Sequence, residues 1–153
     1  MIPLKSKEDL EMLRQSGKVL AGILKRIQEF IKAGISTAEI NRLTEELVSS
    51  QNAIAAFKGY RGFPASICTS VNEEIVHGIP GAKILKEGDI ISLDLGINYK
   101  GYFSDAAVTV AVGQVGAPVK KLLEVTKRAL IEGIKQAKEN NHVSDISSAI
   151  QNY

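Results

Sequence analysis

The sequence predicts an α+β fold in which helices flank an antiparallel hairpin, on three observations. Apolar residues recur at helical spacing over residues 7–33, and Ala117-Pro118 opens a later helix. A strict alternation of apolar and polar residues runs through 91–98, and a turn signal follows at 99–101. The order is therefore helix, helix, strands, helix, helix, and the 153 residues suit one domain able to bury a core.

Leu10, Leu13, Leu20, Ile23, Leu24, Ile27 and Ile31 fall on one face of a helix from Lys7 to about Ala33. Gly34 is its expected stop, since glycine enters the left-handed region without steric cost. Ser36-Thr37-Ala38-Glu39 has the form of a capping box and opens a second helix that runs through Ile40, Leu43 and Leu47 to about Ser50. From Asn52 to Gly88 glycine and proline become frequent and helical periodicity is lost. Within it Ala65–Val71 reads as a short strand and Val76-His77-Gly78-Ile79-Pro80-Gly81 as a loop. Ile91, Leu93, Leu95 and Ile97 alternate with Ser92, Asp94, Gly96 and Asn98, the pattern of a half-buried strand. Tyr99-Lys100-Gly101 supplies a turn, and Tyr102–Val110 returns as the partner strand. Ala117-Pro118 opens a third helix, to about Glu139. Asn140-Asn141 ends it, and a fourth begins near Ser144.

One fixed shift lays Ile40 on Ile146, Glu39 on Asp145 and Gly34 on Asn140. Each marks the point where a long helix hands over to a second one. The short match suggests that a second helix–helix–strand unit has begun without its strands, so the chain is expected to be a single incomplete domain. Residues 1–113 would form its first half and 114–153 the start of its second.

Composition excludes several classes. A formal net charge of +2 argues against nucleic acid or an anionic membrane as the main partner. The N-terminus carries no apolar signal-peptide core, and no apolar run approaches the ~20 residues of a membrane span. Cys68 is the only cysteine, which rules out an intrachain disulfide and a cysteine-rich zinc site. Together these point to a cytoplasmic, reducing setting.

Asp94 stands mid-strand, where aspartate is disfavoured. A loop of two or four residues centred between Tyr99 and Lys100 would put it directly opposite Asp105, with Cβ atoms about 4.5–5.5 Å apart. A three-residue turn would put the two on opposite faces unless a bulge restored the register. Two carboxylates that close repel unless a cation lies between them, and hard divalent ions prefer oxygen ligands. The alternative is a solvated sheet face shared with Ser92 and Asn98. Two carboxylates are also too few for a tight site, and only His77 and His142 are available to add to them. His142 reads as an exposed or capping residue at the start of the fourth helix. His77 sits between glycine and proline in a loop of the kind that positions functional side chains. Cys68 reads first as a small buried hydrophobe. With Tyr60 and Phe63 it also suits the wall of an apolar pocket. The paired glycines at 59/62 and 78/81 precede no Lys-Ser/Thr helix start, so no phosphate loop is present.

Gly62-Phe63-Pro64-Ala65-Ser66-Ile67-Cys68-Thr69-Ser70-Val71-Asn72-Glu73-Glu74-Ile75-Val76-His77-Gly78-Ile79-Pro80 closely resembles the type I methionine aminopeptidases. So do Leu85–Gly96 and Gly101-Tyr102-Phe103-Ser104-Asp105. The resemblance implies the pita-bread fold, two pseudo-symmetric helix-plus-sheet halves with the active site between them. This chain would supply the N-terminal half and the first two helices of the second. It implies removal of the initiator methionine from nascent polypeptides, close to the ribosome, with two divalent ions (cobalt, manganese, iron, zinc or nickel) activating a water that attacks the peptide carbonyl. By the same resemblance Asp94 binds one metal and Asp105 bridges both. His77 contacts the substrate and its tetrahedral intermediate, and Tyr60, Phe63 and Cys68 line the methionine pocket. Asn72 lies near a monovalent-cation site. Ala106 departs from the serine or threonine that often follows the bridging aspartate. The resemblance spans the whole chain but only the earlier part of a typical member, and the family's other metal ligands, a histidine and two glutamates, lie later. Two expectations therefore stand side by side. One is a metal-dependent aminopeptidase. The other is an inactive half-domain serving as a scaffold, binding module or homodimer whose second copy covers an exposed apolar face.

Overall fold

The computed structural model describes residues 3–153. They fall into two compact units that divide between Gln114 and Val115, and each is described by itself.

In the first unit α1 (Lys7–Phe30) starts on a capping box. Asp9 N–H donates to Ser6 Oγ, and Ser6 N–H donates to Asp9 Oδ2 at 2.9 Å. The helix stops at Phe30, short of the expected Ala33. Ile31 is already extended, and the chain leaves so that Gly34 N–H reaches the Leu85 carbonyl at 2.9 Å. The capping box read from the sequence starts α2 (Thr37–Ser50), with Glu39 N–H on Ser36 Oγ and Ser36 N–H on Glu39 Oε2.

Four strands follow: β1 (Ile54–Ala55), β2 (Cys68–Val71), β3 (Ile90–Tyr99) and β4 (Tyr102–Ala111), with a 3-10 turn at Tyr60–Gly62. β2 is shorter than the expected 65–71 because Ser66 N–H is taken by Asn41 Oδ1 of α2 instead of the sheet. β4 pairs antiparallel with the whole of β3 along one edge. β2 and β1 share the other edge, β2 opposite Ile91–Asp94 and β1 opposite Ile97–Asn98.

Both helices lie on one face of this sheet. Leu20, Ile23, Leu24 and Ile27 of α1 and Ile40, Leu47 and Val48 of α2 bury against Ile91, Leu93, Leu95 and Ile97, the apolar half of the alternation. Burying each such aliphatic side chain stabilises the fold by roughly 1.5–3 kcal/mol. On the same side Ser16 Oγ of α1 reaches the Tyr102 carbonyl and Ser104 Oγ, fixing helix against hairpin.

The hairpin loop is Lys100-Gly101, both at positive φ (53° and 88°), as a two-residue type I′ turn requires. Its centre lies one residue later than the spacing argument assumed. Asp94 therefore pairs with Ala107 and Asp105 with Gly96. The two aspartates are not directly opposite. They are diagonal neighbours on one face, the face turned away from the helices.

The second unit contains α3 (Ala117–Lys135) and α4 (Val143–Asn152). α3 ends before the expected Glu139 because the Gln136 carbonyl is taken by Lys138 N–H and by the Asn141 amide. Where α4 crosses Gly133, a Cβ there would come within 2.8 Å of Ile150 Cδ1. The repeat seen in the sequence recurs as local geometry. Gly34 and Asn140 both have positive φ (92° and 68°). Glu39 and Asp145 each accept the N–H of the residue three before, Ser36 and His142.

Candidate functional site

Alternation and register together build the far face of the sheet. Asp94 points away from the core because its neighbours Leu93 and Leu95 point into it. Across one edge of β3 Asp94 is paired with Cys68, and across the other with Ala107. Asp105 stands beside Gly96. An ideal Cβ at position 96 would lie 3.2 Å from Asp105 Oδ2 and 2.6 Å from Phe57 Cε1. The lack of a side chain at 96 thus lets the Phe57 ring and the Asp105 carboxylate approach the strand.

Electrostatically the face is strained. Asp94 Oδ1 is buried and has no hydrogen-bond partner among the described residues. Leaving a buried polar atom unpaired costs about 1–3 kcal/mol, more when it is charged. Burial holds the Asp94 carboxyl above its ordinary range. The Asp105 charge raises it further, and His77 offsets part of the rise. The Cys68 thiol is pushed up to about 11, first by burial and then by Asp94 and Asp105. Cys68 is thus a buried neutral thiol and no activated nucleophile. An uncompensated pair of carboxylates with an unpartnered oxygen is the environment a divalent cation relieves.

His77 stands exposed on the loop after β2, in the left-handed region at φ 59°, and its charge reaches Asp94. Of the expected pocket residues, Cys68 is buried beside Asp94, and half-buried Phe63 meets Phe57 edge-on with ring centroids 6.5 Å apart. Tyr60 is 63% exposed, with the Arg61 guanidinium 5.5 Å from its ring centroid. Phe57 was not singled out from the sequence. Its one signal was Gly96, a glycine inside a strand, which marks the close approach of another group.

Asn72 is engaged in structure. Its Oδ1 accepts Ile90 N–H and its Nδ2 donates to Asp89, tying the end of β2 to the start of β3. His142 is the exposed N-cap residue of α4, in keeping with the capping alternative. Among the described residues no group of three or more His, Cys, Asp or Glu side chains is placed to hold a metal ion. The donors fit a divalent cation in kind, being hard carboxylate oxygens with one of them unpaired.

The family model for metallopeptidase family M24 matches residues 11–153. The chain belongs to this family. Methionine aminopeptidase 1 of Bacillus subtilis is 47% identical over 153 residues, covering 100% of this chain and 62% of that protein. Methionine aminopeptidase of Clostridium acetobutylicum is 46% identical, again over 100% of this chain and 62% of that protein. The crystal structure of methionine aminopeptidase from Rickettsia prowazekii superposes with a TM-score of 0.98 at 37% identity, over 100% of this chain and 62% of that one. This M24 chain thus has the α+β pita-bread fold expected from its motifs, and spans about three-fifths of the length of the curated relatives it matches. No helix among its described residues is long and apolar enough to cross a membrane.

Proposed function

We propose that this chain carries the first part of the catalytic apparatus of a methionine aminopeptidase, which removes the N-terminal methionine from nascent polypeptides in the cytoplasm. Residues 1–113 form one pseudo-symmetric half and 114–153 open the next. The observation that carries this reading is the partnerless buried Oδ1 of Asp94, on a sheet face shared with Asp105, in a chain similar over its whole length to methionine aminopeptidases.

Asp94 and Asp105 would hold the divalent ions, together with ligands from beyond these residues. Bound divalent ions supply Lewis acidity and lower the pKa of a water toward neutrality. His77 donates a hydrogen bond to the substrate carbonyl oxygen as charge develops there. Tyr60, Phe63 and Cys68, joined by Phe57, offer a polarisable wall for an unbranched thioether, and the neutral Cys68 thiol adds no charge to it. A monovalent cation near Asn72 would sit beside a side chain whose oxygen accepts Ile90 N–H and whose amide donates to Asp89.

A second reading, a non-catalytic binding or dimerising module, is favoured by exposed apolar side chains, Ile54 and Phe103 in the first unit and Leu122, Ile134 and Val143 in the second. The discriminating experiment is hydrolysis of a Met-Ala-Ser peptide by residues 1–153 with added manganese or cobalt, alongside light scattering. Turnover that disappears in Asp105→Asn establishes catalysis by these residues. A concentration-dependent dimer supports the module, whereas absent turnover alone fits either reading, since the remaining metal ligands would come from beyond these residues.

A further inference from the structure

We propose that Ser70 and Gly78 are positioning residues that clamp the His77 loop onto β2, so that the imidazole is held at a set place over the Asp94–Asp105 face. The inference rests on the role given to His77 above and deepens it.

His77 needs such a clamp. A non-glycine residue at φ 59° is disfavoured and persists only where its surroundings over-determine it. The determinants lie one residue on. The Gly78 carbonyl accepts Thr69 N–H at 2.8 Å, and Gly78 N–H donates to Ser70 Oγ at 3.1 Å. Gly78 is thereby laid along β2 like a one-residue strand. The approach is close enough to require glycine. A Cβ at 78 would collide with the Thr69 carbonyl oxygen, and would stand 2.7 Å from Thr69 C and 2.9 Å from Ser70 Cα. All of these are backbone atoms that cannot swing aside.

Ser70 is the polar half of the clamp. It is 4% exposed and on the same face as Cys68, since both pair with outward-facing residues of β3, Ser70 with Ser92 and Cys68 with Asp94. The path from carboxylate to imidazole is therefore short and stiff. It runs through the β3–β2 ladder, one hydrogen bond from Ser70 to Gly78, and one peptide bond to His77. The near end of the loop is tied as well, with Val71 N–H donating to Glu74 Oε2 at 2.9 Å and Glu74 paired with Lys83. Fixing both ends turns the excursion between Val71 and Gly78 into a mount for one side chain.

The test uses the full chain with Ser70→Ala and Ser70→Thr. Nuclear magnetic resonance reads amide exchange at Gly78 and Thr69 and the backbone coupling constant of His77, neither of which depends on activity. In Ser70→Ala the thermal midpoint and the β3–β4 amides should stay near wild type, while Gly78 exchanges about tenfold faster or more and the His77 coupling leaves the left-handed value. Ser70→Thr, which keeps the hydroxyl, should restore both. With turnover of Met-Ala-Ser, Ser70→Ala should lower kcat about tenfold with KM nearly unchanged. Wild-type exchange and coupling in Ser70→Ala, or a loss of the β3–β4 amides as large as that at Gly78, overturns the clamp. Absence of turnover in the wild type bears only on catalysis by residues 1–153, because the resonance measurements still decide the clamp.

Discussion

Asp94→Asn should make the metal-free protein more stable while abolishing its response to metal. The asparagine is isosteric, so an unpaired buried polar atom remains and that cost largely cancels between the two proteins. What changes is charge. As diagonal cross-strand neighbours, Asp94 and Asp105 have Cβ atoms somewhat less than about 7–8 Å apart. Unit charges about 7 Å apart repel by roughly 2 kcal/mol at an effective dielectric constant of 20, and by roughly 0.6 kcal/mol in bulk water. Asp105 is exposed, which favours the lower part of that range, about 1 kcal/mol. The pH sense follows from the raised Asp94 carboxyl, whose ordinary value is 3.8. The unfolded chain ionises first, so stability falls as pH rises from 3.8 through the higher folded value, and the penalty is complete above it. In a chelator at pH 7 the variant should melt about 4 °C higher than wild type, and the difference should close below both values. Millimolar manganese should raise the wild-type midpoint and leave the variant unmoved. A variant that melts lower in chelator contradicts the carboxylate repulsion, and one that keeps the manganese shift contradicts a metal at Asp94.

Gly96→Ala should cost about 1–3 kcal/mol in urea unfolding, because the new methyl must displace the Phe57 ring and crowd Asp105; an unchanged midpoint contradicts the close approach. Asp89 is held below its ordinary carboxyl range by the Asn72 amide and then by Lys86 N–H, so its contribution is present above 3.8 and lost as pH falls through the lower folded value. Asp89→Asn should therefore flatten the acid limb of the stability profile, read as urea midpoint against pH, and leave the alkaline limb alone. Cys68 should alkylate slowly at pH 8, with a rate that climbs toward a midpoint near 11; a midpoint near that of a free thiol would contradict its burial beside two carboxylates.

Much of this architecture is legible along the chain. Leu20, Ile23 and Leu24 announce a helix and its buried face, Ser36 and Glu39 announce the next, and the Ile91–Ile97 alternation shows which side of β3 meets them. These signals are local. A period or a capping box is complete within a few residues, and tertiary packing here agrees with it. The missed helix ends were decided by groups far from the local pattern or by side-chain capture. Leu85 takes the Gly34 amide, and the Asn141 amide takes the Gln136 carbonyl. Within the site, residue types were legible and their relations were not. Phe57 carries no periodic signal, and its place became evident only through the space left at Gly96.

The amino-acid order alone puts two aspartates on a hairpin, Asp94 facing away from an aliphatic core, with one cysteine and one loop histidine as further candidates, and its motifs point to the family. How the two aspartates stand to each other depends on tertiary structure. Side-chain alternation is a property of each strand, whereas register is a property of the turn. The positive φ angles of Lys100 and Gly101 placed the hairpin centre one residue later than the spacing argument had it. That shift left Asp94 and Asp105 on one face and moved them from opposite to diagonal. The pairing of Cys68 with Asp94, and the burial that leaves one Asp94 oxygen without a partner, depend on contacts between distant parts of the chain.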